Sequence, residues 1–287
     1  MAYLYFAKLN VNNDIFKVYN GEEDIEKILN KLIVRINSKK ILSLPKNKEY
    51  IKFIALTSSI EKRFVRGRLI KIFEDDFQMY NSKTDDLEEL PQSALARTST
   101  FYCDVQHELI AFTVGKYFSP KQFCDYFEQL INQCTEEGNF NVTLLKDTDS
   151  FEEKVKKFSK ITSVTFKIVP KNPCYDEFDK LYANLESMES MQANRLEVTY
   201  TANNKNNQGI NLNNDYFKNF KKSLELGYIK STVTGLIAGV TKGKVFSDQD
   251  APKRFIIPNN DQTSIPNVHE HAKTFIPQIL LKMLGKK

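Results

Sequence analysis

The feature that most constrains the fold is the order in which strand-forming and helix-forming segments follow one another. Runs with alternating apolar side chains occur in groups, and single amphipathic helical segments separate these groups. Regular alternation of strands and helices would favour a parallel sheet, whereas grouped strands favour mixed or antiparallel sheets with single helices packed on them. We therefore expect an α+β fold with two subdomains, residues 1–150 and residues 151–287.

The first half is expected to contain a hairpin whose strands alternate clearly, and a helix that begins at Ser119-Pro120. Serine is a good N-cap residue, and proline fits the first helical position because it has no N–H to leave unpaired. Between residues 82 and 89 the chain is acidic and polar, which predicts a loop. The expected strands are Tyr3–Leu9, Tyr50–Thr57 (with Ile51, Phe53 and Ala55 on one face), Val65–Phe77 and the hairpin Thr98–Val114; the expected helices are Glu22–Leu42 and Ser119–Thr135.

The second half restarts the same pattern after a polar stretch at 146–150. Its β-branched and aromatic runs predict strands, and its helically spaced leucines and phenylalanines predict helices. The expected helices are Phe151–Lys160, Asp176–Ser190, Asn213–Leu226 and Pro277–Leu284; the expected strands are Ser163–Val169, Arg195–Thr201, Tyr228–Val240, Lys244–Phe246 and Phe255–Ile257.

Composition indicates a cytoplasmic protein that does not insert into a membrane. No apolar run approaches the roughly 20 residues that a membrane-spanning helix needs, and the first residues lack the pattern of a signal peptide. The four cysteines, Cys103, Cys124, Cys134 and Cys174, form no C-x-x-C pair. We expect them to be reduced and mostly buried thiols, not ligands of zinc.

Motifs of catalysis are not apparent in the sequence. The glycine-rich run from Gly235 to Lys244 has the wrong spacing for a phosphate-binding P-loop. His107 is expected in a hairpin turn beside Asp104, and His269-Glu270-His271 could place two imidazoles on one side of a strand. Two histidines fall short of the three or four ligands that zinc usually takes. We therefore expect a protein without a catalytic residue, a metal or a cofactor.

Positive charge is concentrated in the last third of the chain. Residues 1–200 carry 28 Lys and Arg against 30 Asp and Glu, a net of −2, whereas residues 201–287 carry 13 against 6, a net of +7. Three of these lysines, Lys218, Lys221 and Lys222, have the i, i+3, i+4 spacing that places side chains together on one helix face. Concentrated positive charge attracts polyanions, so the sequence indicates a nucleic-acid-binding surface.

The candidate contact residues are cations on the predicted loops, turns and helix face of the last third, with two arginines of one predicted strand as a second set. They are Lys205, Lys218, Lys221, Lys222, Lys242, Lys244, Lys253 and Arg254, and then Arg66 and Arg68. We expect contacts to phosphates to dominate, so that binding depends strongly on salt and weakly on base sequence.

Two other functions remain open from the sequence. Acidic pairs such as Asp75-Asp76 and Asp85-Asp86 could belong to a metal-dependent nuclease if they converged on Mg²⁺. Alternatively, the chain could bind a partner protein of a defence system, as an inhibitor or an assembly component, without contacting nucleic acid.

One stretch resembles a known family. The order strand, Pro170-Lys171, helix and strand between Ser163 and Thr201, followed by a polar loop, is similar to the C-terminal part of RexA-like phage exclusion proteins, and the general outline is shared with KwaB-like defence proteins. The resemblance covers the pattern of residues 95–235. It implies a cytoplasmic, homodimeric DNA-binding protein of antiphage defence or phage exclusion, acting as a sensor or an effector.

Overall fold

The protein is described by a computed structural model. The structure describes residues 1–12, 14–44, 49–73, 78–89, 95–115, 118–135, 140–170, 188, 190–191, 193–203, 209–214, 217, 221, 223–239, 243–247 and 250–283.

The fold is α+β, as predicted, and its two larger sheets are antiparallel. The strands are β1 (Ala2–Val11), β2 (Ile41–Leu44), β3 (Glu49–Ser59), β4 (Phe64–Phe73), β5 (Gln78–Asn81), β6 (Asp86–Glu89), β7 (Leu95–Asp104), β8 (Leu109–Thr113), β9 (Phe140–Leu144), β10 (Lys160–Ile168), β11 (Leu196–Thr201), β12 (Ile229–Leu236), β13 (Lys244–Ser247) and β14 (Arg254–Ile257). The helices are α1 (Ile15–Tyr19), α2 (Ile25–Arg35), α3 (Pro120–Thr135), α4 (Thr148–Val155) and α5 (Ile265–Met283), with a 3₁₀ turn at Asn259–Asp261.

The first sheet has the strand order β14-β1-β8-β7-β4-β3-β2, and β9 pairs with β1 beside β14. Helices α2 and α3 cover one face, where Phe53, Phe101, Phe123 and Phe127 pack against each other. Helix α5 covers the other face with the apolar stripe Val268, Ala272, Ile276 and Ile279. Two buried faces explain why nearly every residue of β1 is buried.

The second sheet has the order β11-β10-β12-β13. Its core face carries Val164, Phe166 and Val233, which cluster with Leu224 and Val155 of the adjacent helical segments. On its other face, hydroxyl side chains stand in register: Thr165 is opposite Thr199 on one side and Thr232 on the other. Side chains that point to opposite faces in alternation give the sheet one apolar and one polar surface.

Several expected elements are confirmed. Helix α3 begins at Pro120, and the Ser119 hydroxyl accepts a hydrogen bond from the Gln122 N–H while the Gln122 side-chain oxygen accepts one from the Ser119 N–H. This reciprocal pair is a capping box. The hairpin of β7 and β8 is also found as expected. Cys103, Cys124 and Cys134 are buried thiols; Cys174 and the expected helix 176–190, apart from residues 188 and 190, lie outside the described residues.

Other expectations are wrong, each for a local reason. Helix α2 ends at Arg35 because Ile36 has an extended backbone, and Ile41–Leu44 then forms an edge strand. The expected loop at 82–89 contains strand β6, paired with β5. Ala55 is exposed with φ of 50°, at an irregularity between Ile54 and Thr57 that breaks the alternation.

The last helix is longer than expected. It begins at Ile265 and contains Pro277 in its interior, so this proline does not mark its start. β14 pairs with β1 in the first sheet, and α5 packs on the same sheet. Both elements follow the second sheet in the chain. The expected division at residue 150 falls within α4 and separates β1–β9 from β10–β13, and the division into two subdomains stays a prediction.

A buried ion pair lies where the first sheet meets the second subdomain. The Nζ of Lys8 is 2.6 Å from Oε2 of Glu108, and both side chains are only 3% exposed. The same ammonium lies 5.8 Å from the centre of the Tyr228 ring. Glu108 has φ of 55°, in the left-handed region. Each charge is therefore held in place by its partner, since desolvated charges are costly when unpaired.

We expect Lys8→Met to lower the free energy of unfolding by about 3–5 kcal/mol, because the Glu108 carboxylate would remain buried without its ammonium partner. Urea unfolding would measure this. The control is Lys273→Met, whose exposed pair with Glu270 spans 3.8 Å and which should cost less than about 1 kcal/mol. Equal losses in the two variants would contradict the prediction.

Candidate nucleic-acid interface

Six of the ten candidate cations are described by the structure. Lys205, Lys218, Lys222 and Lys242 lie outside the described residues, so the expected helix face with three lysines is represented by Lys221 alone. The described candidates are distributed over both subdomains and do not form one patch. They are Arg66, Arg68, Lys221, Lys244, Lys253 and Arg254.

Arg66 and Arg68 lie on one face of β4, and both contact the C-terminal segment of the chain. Nη1 of Arg66 is 2.8 Å from Nδ1 of His269, and Nη2 of Arg68 donates to the backbone oxygen of Thr263 at 2.8 Å. Because a guanidinium can only donate, Nδ1 of His269 is the acceptor. Both arginines therefore fix the start of α5 on the sheet.

The expected placement of His269 and His271 on one side of a strand is wrong, because both residues belong to helix α5. Residues two positions apart on a helix point in different directions. The ring of His269 stacks on Tyr102 at 4.4 Å, whereas Nε2 of His271 is 2.7 Å from Oδ2 of Asp261. In the part of the chain that the structure describes, no three His, Cys, Asp or Glu side chains come together as a metal site would require.

Lys221 forms an ion pair that the sequence does not reveal. Its Nζ is 2.7 Å from Oε1 of Glu152 on α4, and this carboxylate raises the pKa of the lysine. Its own helical segment carries Glu225 four residues on, which also raises the pKa of Lys221, and tertiary structure adds Glu152 from α4. Lys244, by contrast, is exposed on the edge strand β13, where it is opposite Gly235.

Lys253 and Arg254 lie at the outer edge of the first sheet, next to aromatic rings. The guanidinium carbon of Arg254 is 4.1 Å from the centre of the Tyr3 ring, and Nζ of Lys253 is 5.4 Å from that of Phe255. The rings of Phe255 and Phe275 stack at 4.2 Å with an angle of 11° between their planes. We call these five residues the β14 band.

Register explains how the β14 band forms. Arg254 pairs with Tyr5 and Ile256 with Tyr3 across β1, so Arg254 shares a face with both tyrosines. Phe255 points to the opposite face, where α5 supplies Phe275. The band therefore wraps around the edge strand, with Arg254 exposed and the rings of Tyr3, Phe255 and Phe275 half-buried. Lys253-Arg254-Phe255 is the sequence signal, but the rings of Tyr3 and Phe275 could not be assigned to it without the fold.

A second basic feature adjoins the band. Lys253 lines a small cavity of about 30 Å³ together with Lys146, Lys282 and Glu225. Nζ of Lys146 donates to the backbone oxygen of Ile229, and Nζ of Lys282 is 3.6 Å from Oδ2 of Asp149. Counted with Asp149, the cavity therefore has three lysines against two carboxylates, a net charge of +1.

His107 lies in the turn between β7 and β8, as the sequence predicts. Its Nδ1 is 3.0 Å from Oδ2 of Asp104, and this hydrogen bond raises its pKa above the usual 6.5. His269 is shifted the other way: desolvation, together with the charges of Lys273 and Arg66, lowers its pKa. The two imidazoles therefore differ in charge in weakly acidic solution.

Comparison with known proteins assigns the chain to a family. A sequence profile described as a domain of unknown function, DUF4747, matches residues 2–273, so the chain belongs to this family. No curated protein matches the chain. None of the helices in the described ranges is both long enough and apolar enough to cross a membrane.

We expect an NMR titration of the three imidazole signals to place His107 above pH 6.5 and His269 below it. His269 contributes stability above its unfolded pKa and loses it as the pH falls below 6.5, since only the unfolded chain then takes up the proton readily. His107 contributes to stability in the opposite pH range. Its contribution is complete below pH 6.5 and is lost as the pH rises through its folded pKa. Asp104→Asn should lower the pKa of His107 and, because Asp104 acts only weakly on His269, lower that of His269 less; if His269 titrated at the higher pH, the described contacts would be wrong.

Proposed function

We propose that this DUF4747 protein is a non-catalytic nucleic-acid-binding protein, with DNA as the favoured ligand, and that the β14 band is its principal contact surface. The observation that carries this proposal is the alternation of cations and aromatic rings at an exposed sheet edge. Arg254 is exposed over Tyr3, and Lys253 lies beside Phe255.

Each component of the band suits a different part of a nucleic acid. Ammonium and guanidinium groups contact phosphates, which gives binding that falls steeply with salt. Aromatic rings and guanidinium planes stack on unpaired bases, which tolerates any base sequence. Because the guanidinium of Arg254 is already placed over the Tyr3 ring, less side-chain entropy is lost on binding. This combination favours single-stranded over double-stranded DNA.

The other candidate cations have weaker support as contacts. Lys221 has its charge offset by Glu152, and the guanidinium groups of Arg66 and Arg68 bind His269 and the backbone of Thr263. Lys244 is exposed on a different sheet. We therefore place them behind Lys253 and Arg254, and Lys205, Lys218, Lys222 and Lys242 stay predictions from the sequence.

The biological role that we propose is antiphage defence or phage exclusion, with the chain as a homodimeric cytoplasmic sensor or effector. This part rests on the resemblance of residues 95–235 to RexA-like proteins. The edge location of the β14 band is compatible with a DNA strand that continues from one protomer onto a second.

We expect Lys253→Glu/Arg254→Glu to weaken binding of a fluorescent single-stranded DNA by at least tenfold at moderate salt. Two lost phosphate contacts should also reduce the slope of log K against log salt by about 1.4, since each contact on a single strand contributes about 0.7. Fluorescence anisotropy over a salt series would measure both quantities. A binding constant without salt dependence would contradict the proposal.

Two matched controls define the surface. Lys27→Glu/Lys31→Glu changes the charge equally on α2, which packs near β3 at the far end of the sheet from β14, and should have less than a threefold effect beyond its long-range electrostatic contribution. Lys221→Glu should also have a small effect, because the Glu152 carboxylate already offsets its charge. Equal losses in all variants would indicate general electrostatic attraction and not a defined site.

We expect bacteria that express this chain to show reduced plating of at least one phage in a diverse panel, and we expect Lys253→Glu/Arg254→Glu to restore plating. The reason is that the defence role, as proposed, requires DNA binding through the band. Efficiency of plating is the measurement. Protection that persists in the variant, at equal protein level, would separate the defence role from this surface.

A further inference from the structure

The second subdomain contains a cavity of about 400 Å³ that borders its core and opens to solvent. It lies between α4, the core face of the second sheet and the helical segment around Lys221 and Leu224. Protein interiors normally leave few voids larger than a water molecule, whereas sites for small organic molecules begin at about 300 Å³. The volume of this cavity therefore lies in the range of ligand sites.

The wall of the cavity is mainly apolar and includes aromatic rings. Phe151 comes from α4, Phe166 from β10 and Phe217 from the helical segment; the centres of the Phe166 and Phe217 rings are 5.5 Å apart. Phe151 and Phe217 are only half-buried. An apolar body placed between these rings would remove more of their surface from water, which is favourable.

Polar groups occur at two defined places in this wall. Ser231 takes a core-facing position of β12, opposite Phe166, and is only 3% exposed. At the rim, Lys156 is exposed, and Nζ of Lys221 is 2.7 Å from Oε1 of Glu152. Among the residues that line the cavity, two ammonium groups face one carboxylate at the rim; Glu225 and Asp149, which do not line it, also act on Lys221. A few placed polar groups in an apolar pocket fix the orientation of a ligand.

We propose that this cavity binds an amphipathic monoanion, whose aromatic or acyl body occupies the apolar interior and whose single anionic group contacts Lys156 and Lys221 at the rim. Glu152 already neutralises one of the two lysines, so the rim complements one negative charge and not a polyphosphate. The site is separate from the β14 band, and this inference does not depend on nucleic-acid binding.

The first test uses 1-naphthaleneacetate and its neutral amide, which have the same shape and differ in charge. Isothermal titration calorimetry on the full chain should give 1:1 binding of the carboxylate, with the amide at least tenfold weaker because a charge-assisted hydrogen bond is lost. Lys156→Met keeps the aliphatic stem and should reduce the preference for the carboxylate. Absence of saturable binding up to millimolar concentrations, or equal binding of both compounds, would overturn the proposal.

The second test fills the cavity. Val233 lines the cavity, so Val233→Phe should enter it with little change in melting temperature and should abolish binding of 1-naphthaleneacetate. The matched control, Val65→Phe, adds the same volume to the fully buried core of the first sheet and should lower the melting temperature, because overpacking is destabilising. The inference fails if Val233→Phe is destabilised as much as the control or binds the carboxylate as tightly as the original chain.

Discussion

The pairing of β1 with three other strands is the constraint on which the rest of the structure depends. β1 pairs with β8 along one side, and with β14 and then β9 along the other. Its backbone hydrogen bonds therefore join the start of the chain to residues 109–113, 140–144 and 254–257. Because β14 pairs with half of one side of β1, the C-terminal segment forms an edge of the first sheet. Helix α5 then packs on the face that α2 and α3 leave open.

This pairing also creates the β14 band. Arg254 and Tyr3 are far apart in sequence, and only the antiparallel register of β1 and β14 places the guanidinium over the ring. The same strand carries Lys8 further along, where β1 passes the second subdomain and forms the buried pair with Glu108. β1 therefore supports the exposed cationic edge of β14 near its start, and it contributes Lys8 to a buried ion pair near its end. A shift of its register by one residue would move these side chains to the opposite faces.

Local signals were sufficient where the structure depends on local interactions. Ser119-Pro120 predicted the start of α3 because capping involves residues three positions apart, and alternation predicted the hairpin of β7 and β8. The start of α5 was missed because Pro277 was interpreted as a first helical residue. The apolar residues Val268, Ala272, Ile276 and Ile279 have helical spacing and are the signal for the earlier start, whereas His269-Glu270-His271 alone suggested a strand.

The candidate site was less predictable, because its properties arise from distant contacts. The cations themselves could be read from the sequence, but their partners could not: Arg66 and His269 are 203 residues apart. The net charge of one segment therefore overestimates how many cations remain available to contact a polyanion. The cavity in the second subdomain left no signal at all, since its wall combines residues of several strands and helices that each look like ordinary core.

Charge at a sheet edge has a structural role of its own, because lysine and arginine on edge strands discourage pairing with other chains. Lys244 on β13 fits that role: it is exposed at the edge of the second sheet, and no cation–aromatic contact involving it occurs among the described residues. The edge at β14 differs, since Arg254 and Lys253 lie beside Tyr3 and Phe255. Protection of an edge by charge does not need aromatic rings, whereas binding of a single strand combines charge for the phosphates with rings for the bases. The rings are therefore the feature of the β14 edge that edge protection does not explain and that the proposed binding surface requires.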